Sequence, residues 1–193
     1  MNYVTIDFET AYLGKGSACA LAISTSNGET IIDEWYHFIK PYSMRFDLNN
    51  VRINGIYPDM VENEPTFPYY FVDIYKRLEG QIVFAHNARF DMSVLADALA
   101  LYDLPEISFF YGDTVAIARK LWKNLSNHKL NTVAAYLHFD FTHHQAMEDA
   151  YACEWIVRQA LKETGTITVE DMMNELNLPL KAFSIKKFSL SKK

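Results

Sequence analysis

The chain has 193 residues, the length of a single domain with at most a short appendage. Half of the residues are hydrophobic and 22% are charged, and this composition excludes a disordered or collagen-like chain. No segment reaches the roughly 18 uncharged apolar residues of a membrane span, and the N-terminus lacks the basic region of a signal peptide. Cys19 and Cys153 belong to no CxxC motif. We therefore expect a cytoplasmic protein with reduced thiols and no membrane contact.

The charge is distributed unevenly along the chain. The net charge is −6, yet residues 181–193 carry five lysines and no acid, which leaves 13 Lys and Arg against 24 Asp and Glu in residues 1–180. A body this acidic is a poor nonspecific binder of nucleic acid. Any polyanion that it handles would have to meet a local basic patch or bound metal ions.

The first half of the chain reads mainly as strands. Alternating and buried apolar runs are typical of strands, and the pair Asn27-Gly28 predicts a hairpin turn. Apolar residues at helical spacing predict a helix after the proline-containing stretch 40–65. In chain order, the predicted elements are strands at 3–8, 18–25 and 30–39, a short helix at 48–53, a helix at 67–79 and a strand at 81–85.

The second half alternates between helix and strand before a basic tail. The predicted elements are a helix at 91–101, a strand at 107–111, and helices at 113–121, 130–137, 145–164 and 169–178. Antiparallel strands followed by this alternation predict an α/β fold, a mixed sheet flanked by helices. We expect one domain over 1–165, followed by a C-terminal helix and basic tail at 166–193. For 181–193 we expect a frayed, solvated tail, with a partner-docking segment or a phosphate-contacting arm as alternatives.

Four carboxylates stand at the edges of these elements. Asp7 and Glu9 lie two apart at the C-terminal end of the first strand, so they share one face of the sheet. Asp91 follows the strand at 81–85 near a helix start, where an ordinary cap is the alternative. Asp149 lies in the opening turns of the longest helix, five residues after His144.

If these four acids converge, they require cations, because carboxylates that share one site repel each other. Oxygen-rich ligation selects Mg²⁺ or Mn²⁺, and two such ions would suit a phosphoryl displacement. A histidine of nearly neutral pKa suits deprotonation of the attacking water. A zinc site built from His138, His143 and His144 is a weak alternative because no cysteine is near, and we expect His143 to face solvent.

Three motifs carry a resemblance to a known family: Asp7-Phe8-Glu9-Thr10, His86-Asn87-x-x-Phe90-Asp91 and His144-x-Ala146-x-x-Asp149. With the linking segments 17–21 and 52–56, they resemble the DEDDh 3′–5′ exonucleases. This is the DnaQ-like family of the proofreading epsilon subunit of bacterial DNA polymerase III. The similarity runs from about residue 2 to residue 164. It implies a ribonuclease H-like fold, with the first three strands antiparallel and the later ones parallel.

The resemblance also implies roles for individual residues. His144 would be the general base, and Asp7 would bridge two ions of Mg²⁺ or Mn²⁺. The other metal ligands would be Glu9, Asp149 and Asp91, the last either directly or through water. The substrate-binding residues at the 3′-terminal nucleotide would be Thr10, Ala11, Phe90 and Asn87, and Asn87 would act by ordering the turn before Asp91.

The activity that the resemblance implies is hydrolysis of the terminal phosphodiester at a single-stranded 3′ end of DNA, or of RNA, with release of nucleoside 5′-monophosphates. A DNA polymerase could be a partner. Two alternatives stay open. One is an RNA exonuclease of ribonuclease T or oligoribonuclease type, because Glu9-Thr10-Ala11 also resembles ribonuclease T. The other is a non-catalytic module that binds nucleic-acid ends or a polymerase. Candidate contacts are Arg89, Lys120, Lys123 and Lys129 for phosphates, and Tyr12 and Phe90 for stacking on bases.

Overall fold

The computed structural model describes residues 2–143 and 145–189. Its strands are β1 (Tyr3–Thr10), β2 (Ala18–Ser26), β3 (Ile31–Phe38), β4 (Ile82–Ala85), β5 (Phe110–Asp113) and β6 (Lys181–Ala182). Its helices are α1 (Leu48–Asn54), α2 (Pro58–Val61), α3 (Phe67–Leu78), α4 (Arg89–Leu101), α5 (Thr114–Leu121), α6 (Leu130–Tyr136), α7 (Ala146–Thr164), α8 (Val169–Glu175) and α9 (Ile185–Ser189). None of these helices is both long enough and apolar enough to cross a membrane.

In the described part of the chain, the strands form one mixed sheet in the order β3-β2-β1-β4-β5-β6. The first three strands are antiparallel neighbours, and β1, β4 and β5 are parallel, which confirms the predicted arrangement. The hairpin between β2 and β3 is also confirmed. The Asn27 side chain accepts hydrogen bonds from the backbone amides of Glu29 and Thr30, and Gly28 adopts a φ of 91°.

The predicted bounds of the strand at 107–111 are wrong. The ladder runs from Ile82 opposite Phe110 to Ala85 opposite Asp113, so β5 begins three residues later than expected. Ile107 and Phe109 are buried because they pack into the hydrophobic core, and not because they lie in the ladder. An apolar run therefore marks burial here without marking the strand. The shift places Asp113 at the strand end, beside the loop that follows β4.

Both faces of the sheet are covered. On one face, α3 and α4 pack against the apolar side chains of β1, β2 and β4. On the other, α5, α6, α7 and α8 enclose a second core that contains Phe84 and Ile156. The long helix α7 crosses β1 and β2 and is fastened to them by polar contacts. The hydroxyl of Thr5 donates to the carbonyl of Ala150 at 2.9 Å.

Glu154 makes several of the polar contacts between α7 and the sheet. Its carboxylate is buried and accepts hydrogen bonds from the Tyr3 hydroxyl at 3.0 Å and the Ser26 hydroxyl at 2.7 Å. Arg158 adds an ion pair at 2.8 Å. A buried charge is tolerated only when it is paired and hydrogen-bonded, so this network fixes α7 along its axis. Asp149 lies five residues earlier on α7, so the same network also fixes the position of Asp149.

The C-terminal segment is docked on the sheet, so the expectation of a frayed tail is wrong for residues 181–189. β6 pairs with β5 in the antiparallel sense, and the Phe183 ring stacks on Phe109 with centroids 4.6 Å apart. The backbone amide of Ile185 donates to the Glu106 carboxylate at 2.7 Å. Phe183 and Ile185 pack on the hydrophobic core, and together with the backbone contacts they hold the segment in place.

Candidate active site

A cavity of about 730 Å³ opens where β1 and β4 end. Its floor is formed by the end of β1, and one wall is formed by α1. The opposite side comes from the loop after β4, from α5, and from residues 127–130. His143 and Asp149 close it from the beginning of α7. A cavity of this size is large enough for a nucleotide.

Three carboxylates meet in this cavity. Asp7, Glu9 and Asp149 each offer an oxygen, and these oxygens lie within 4.8 Å of one another. Asp7 and Glu9 project from alternate positions of β1, and the fastened helix α7 brings Asp149 to them. Within the described residues, this is the group of acids and histidines with the geometry to hold a metal ion.

Two carboxyl groups of this trio, those of Asp7 and Glu9, have raised pKa values. Burial raises the pKa of Asp7 well above its ordinary value, and the charges of Asp91, Glu9 and Asp149 raise it further. Burial raises the pKa of Glu9 from 4.5 to about 8, against the opposing effect of a hydrogen bond from Asn54. Such shifts indicate a site that needs positive charge to be stable.

An all-carboxylate donor set with this spacing fits a hard divalent cation. The three oxygens are close enough to share an ion, and no soft ligand is among them. A bound cation would reverse the local electrostatics that now favour protonation. The residues present therefore fit the metal that the sequence predicts.

Asp91 lies behind this group. It is buried in the first turn of α4, and its Oδ1 accepts a hydrogen bond from the backbone amide of Phe8 at 3.0 Å. The alternative of an ordinary helix cap is wrong, because this contact crosses to β1 and the cap position belongs to Ala88. Asp91 thus fixes β1 against α4 next to Asp7 and contributes to the raised pKa of that residue.

Of the neighbouring histidines 143 and 144, the structure describes His143 and places it in the cavity. Its Nδ1 lies 2.8 Å from Asp149 Oδ1, so the expectation that it faces solvent is wrong. His144, the predicted general base, lies outside the described residues. His144 lies five residues and His143 six residues before Asp149. No local pattern in the sequence indicates which of the two side chains points toward Asp149.

His86 is a second histidine of the wall. Its Nε2 lies 3.0 Å from the carbonyl of His128, which can only accept, so Nε2 carries the proton. Its Nδ1 lies 2.9 Å from the Thr114 hydroxyl. Burial lowers the pKa of His86 to about 4, so the ring stays neutral and serves to join the loop after β4 to residues 127–130.

Helix α1 supplies polar residues that sequence reasoning missed. Asn50 Nδ2 donates to the carbonyl and to the hydroxyl of Thr10, both at 3.0 Å. Asn54 Nδ2 donates to the same carbonyl at 3.1 Å, and the Asn54 side chain also opposes the rise in the pKa of Glu9. The available signal was the position of Asn54 within the segment 52–56, which the family resemblance already included.

The predicted nucleotide contacts fall into two groups. Thr10, Asn87 and Phe90 line the cavity, and the Phe90 side chain is 38% exposed. Ala11 and Tyr12 are buried away from it, since the Tyr12 hydroxyl donates to the Lys15 carbonyl at 2.7 Å. Stacking of Tyr12 on a base is therefore excluded in this arrangement.

The four predicted phosphate contacts separate in the same way. Lys129 lines the cavity, together with Arg119, which the sequence analysis did not select. Arg89 lies beside a second cavity, described below. Lys120 and Lys123 line neither cavity.

Comparison with known proteins adds a family. The RNase_T family model, described as an exonuclease, matches residues 4–154. The chain is 29% identical over 180 residues to the PolC-type DNA polymerase III of Oceanobacillus iheyensis, which covers 92% of this chain and 12% of the relative. The corresponding polymerase of Thermotoga maritima is 32% identical over 152 residues, 77% of this chain and 11% of the relative. The chain therefore spans about an eighth of the polymerases that it matches.

Solved structures show the same fold. Exonuclease X in complex with 5′-overhanging duplex DNA superposes with a TM-score of 0.73 at 22% identity, covering 90% of this chain and 99% of the other. A 3′-exonuclease described as recognising the histone mRNA stem-loop superposes with a TM-score of 0.69 at 18% identity, covering 84% and 82%. The expected ribonuclease H-like fold is confirmed.

Proposed function

The chain belongs to the RNase_T exonuclease family and is thus a nuclease that hydrolyses phosphodiester bonds, and we propose that it removes nucleotides from the single-stranded 3′ end of DNA. The observation that carries this proposal is the trio Asp7, Glu9 and Asp149, whose oxygens lie within 4.8 Å of one another in a nucleotide-sized cavity. The products would be nucleoside 5′-monophosphates.

Membership of this family implies dependence on a divalent metal. We propose two ions of Mg²⁺ or Mn²⁺, held by Asp7, Glu9 and Asp149, with Asp91 contributing through water. When bound, this metal pair supplies charge stabilisation to the attacking and leaving oxygens of the phosphoryl displacement. His144 takes the proton from the attacking water, the role that the motif resemblance gives it.

The other cavity residues suit a terminal nucleotide. Ile53 and Phe90 offer partly exposed apolar surface for the base and sugar, and stacking on an aromatic ring is worth about 1–3 kcal/mol per base. Arg119 and Lys129 offer positive charge for backbone phosphates. Asn50 and Asn54 fix the Thr10 backbone, so that its position against the nucleotide is set before the substrate arrives.

The wider setting is also a proposal. We assign the exonuclease domain to residues 1–165 and treat 166–193 as its C-terminal extension. Similarity to PolC-type polymerases favours DNA over RNA and a place beside a DNA polymerase. Two free, buried cysteines are compatible with the reducing cytoplasm, which we propose as the location.

The test is a time course on two oligonucleotides of one sequence, one DNA and one RNA, each labelled at the 5′ end. Each is incubated with Mg²⁺, with Mn²⁺ and with EDTA, and Asp149→Ala serves as the site variant. We expect a ladder that shortens from the 3′ end, faster on DNA, present with metal and absent with EDTA.

Each outcome has a definite meaning. Asp149→Ala should lose activity by several orders of magnitude, because it removes one of the three proposed metal ligands. The variant should remain folded, because Asp149 lines a cavity and is not part of the hydrophobic core. Faster shortening of RNA would favour the ribonuclease T-like alternative. Unchanged oligonucleotides in the presence of either metal would reject the exonuclease proposal and favour a binding module.

A further inference from the structure

A second cavity, of about 330 Å³, lies directly behind one wall of the candidate active site. The two cavities are separated by the start of α5 and the loop after β4. In this wall, Asp113 Oδ1 accepts hydrogen bonds from the amides of Asn87 at 3.1 Å and Val115 at 2.9 Å. Asn87 and Val115 face the first cavity, whereas Arg89 and Asp113 face the second.

Three cations line this second cavity. Arg89 comes from the first turn of α4, and Lys181 and Lys187 come from β6 and α9. Among the residues that the structure describes, none of the three forms an ion pair with a carboxylate. We call this cavity, defined by Arg89, Lys181 and Lys187, the basic groove.

The positive charge of the basic groove contrasts with the rest of the molecule. Residues 1–180 contain 13 Lys and Arg against 24 Asp and Glu, so cations are scarce on this surface. The acid that shares the groove, Asp113, has one carboxylate oxygen already engaged by two backbone amides. A local positive patch on an acidic protein attracts polyanions at that place and repels them elsewhere.

The two lysines are held in position by the docked C-terminal segment. Lys181 lies opposite Tyr111 in the β5–β6 ladder. Beyond it, the stacked rings of Phe109 and Phe183 and the contact between Ile185 and Glu106 fix the chain up to α9. The backbone that carries both lysines is therefore held against the sheet, and rigid elements are suited to presenting charged groups to an anion.

We propose that the basic groove binds backbone phosphates of the nucleic acid whose 3′ end occupies the first cavity. This inference rests on the proposed function and extends it to the substrate beyond the terminal nucleotide. The phosphates can come from the same strand, a few nucleotides from its 3′ end, or from the complementary strand of a duplex end. Both sources offer the same phosphodiester chemistry to Arg89, Lys181 and Lys187.

The experiment compares Lys181→Gln/Lys187→Gln with Lys186→Gln. Lys186 lies on the same helix as Lys187, is exposed and does not line the basic groove, so it controls for the loss of one surface charge outside the groove. All three lysines are exposed, and the variants should fold. The variants are placed in an Asp7→Asn background to prevent turnover. Binding is measured by fluorescence anisotropy across a KCl series, with a 5′-labelled single-stranded DNA 20-mer and with a 5′-overhanging duplex as probes.

The readout is the slope of log affinity against log salt concentration. This slope is negative, and each lost phosphate contact lowers its magnitude by roughly 0.7 on single strands and 0.9 on duplexes. We expect the double variant to lower the slope by about 1.4 on the 20-mer if the groove holds the same strand. A change of about 1.8 confined to the duplex would assign it to the complementary strand. Slopes equal to those of Lys186→Gln on both probes would overturn the proposal.

Kinetic measurements on proteins that keep Asp7 distinguish a failure of the groove proposal from a failure of the proposed exonuclease function. With Mg²⁺, the double variant should show a raised KM on the 20-mer, an unchanged kcat, and unchanged kinetics on a dinucleotide, whose single phosphodiester is the one cleaved in the first cavity. If a chain without substitutions hydrolyses neither DNA nor RNA, the exonuclease proposal fails, and the salt slopes still decide the groove. If it hydrolyses DNA and the slopes match the control, only the groove proposal fails.

Discussion

Because burial disfavours the charged form of Glu9, this residue should lower the stability of the metal-free fold at neutral pH, and a single amide substitution should restore it. Glu9 is 8% exposed, and its pKa is raised from 4.5 to about 8 by burial. Glu9→Gln removes the ionisable group and keeps its shape. An amide oxygen at this position can still accept the hydrogen bond from Asn54. We therefore expect Glu9→Gln to stabilise the metal-free protein at neutral pH while it impairs catalysis.

The size and the pH range of the effect follow from linkage. Because the folded-state pKa lies above the unfolded value, ionisation opposes folding. The penalty is absent below pH 4.5, grows as the pH rises, and is complete near pH 8. At pH 7 the unfolded side chain is ionised and the folded one is mostly protonated. At about 1.36 kcal/mol per pKa unit, the penalty there is about 3 kcal/mol.

The measurement is urea unfolding in EDTA at pH 4 and pH 7, with Glu29→Gln on the exposed hairpin as the control. Glu9→Gln should unfold at higher urea than the unsubstituted protein at pH 7 and should differ little at pH 4. Metal at 100 times its dissociation constant should stabilise the unsubstituted protein by about 2.7 kcal/mol and the variant by less. Equal stability at pH 7, or an equal gain at pH 4, would refute the reasoning.

Three further predictions concern other parts of the molecule. His144→Ala should lower kcat by about 10²- to 10⁴-fold without loss of metal binding, whereas His143→Ala should cost less; the reverse order would assign the general base to His143. Asn54→Ala should weaken metal binding about 10- to 100-fold in calorimetry, because it releases both Thr10 and a metal ligand; unchanged affinity would contradict this role. Phe183→Ala removes a buried ring that stacks on Phe109, so it should lower the free energy of unfolding in urea by about 3 kcal/mol. A change under about 1 kcal/mol would show that other contacts hold the segment.

Much of the fold could be predicted because hydrophobic periodicity is a local signal. β1 and α7 carry their acids at the ends of strongly patterned elements, so the elements and the positions of Asp7, Glu9 and Asp149 within them could be inferred from spacing, whereas their joint role as metal ligands came from the family resemblance. The register of β5 could not, because Ile107 and Phe109 are as apolar as strand residues although they pack outside the ladder.

Parts of the candidate site depend on contacts that no local pattern encodes. The side chain of Asp91 reaches a backbone amide of β1, and that of Asn50 reaches the Thr10 carbonyl 40 residues away. The docking of Lys181–Ala182 as β6 depends on a two-residue pairing and on one aromatic stack, both too short to show a periodicity. Composition correctly marked the segment as basic, and only the tertiary structure brings its lysines beside Arg89.

The way the sheet ends on each side bears on self-association. At one edge, β3 carries charged side chains, Glu34 and the ion pair of Asp33 with Arg77 at 2.9 Å, and charges on an edge strand discourage pairing with a second copy. At the other, β6 covers β5 for two residues, and α9 then turns the chain out of the ladder. Removal of the chain from Lys181 onward would uncover the backbone of β5 together with the exposed ring of Phe110. The shortened protein would then present an open strand edge, and strand-to-strand oligomers would form as its concentration rises.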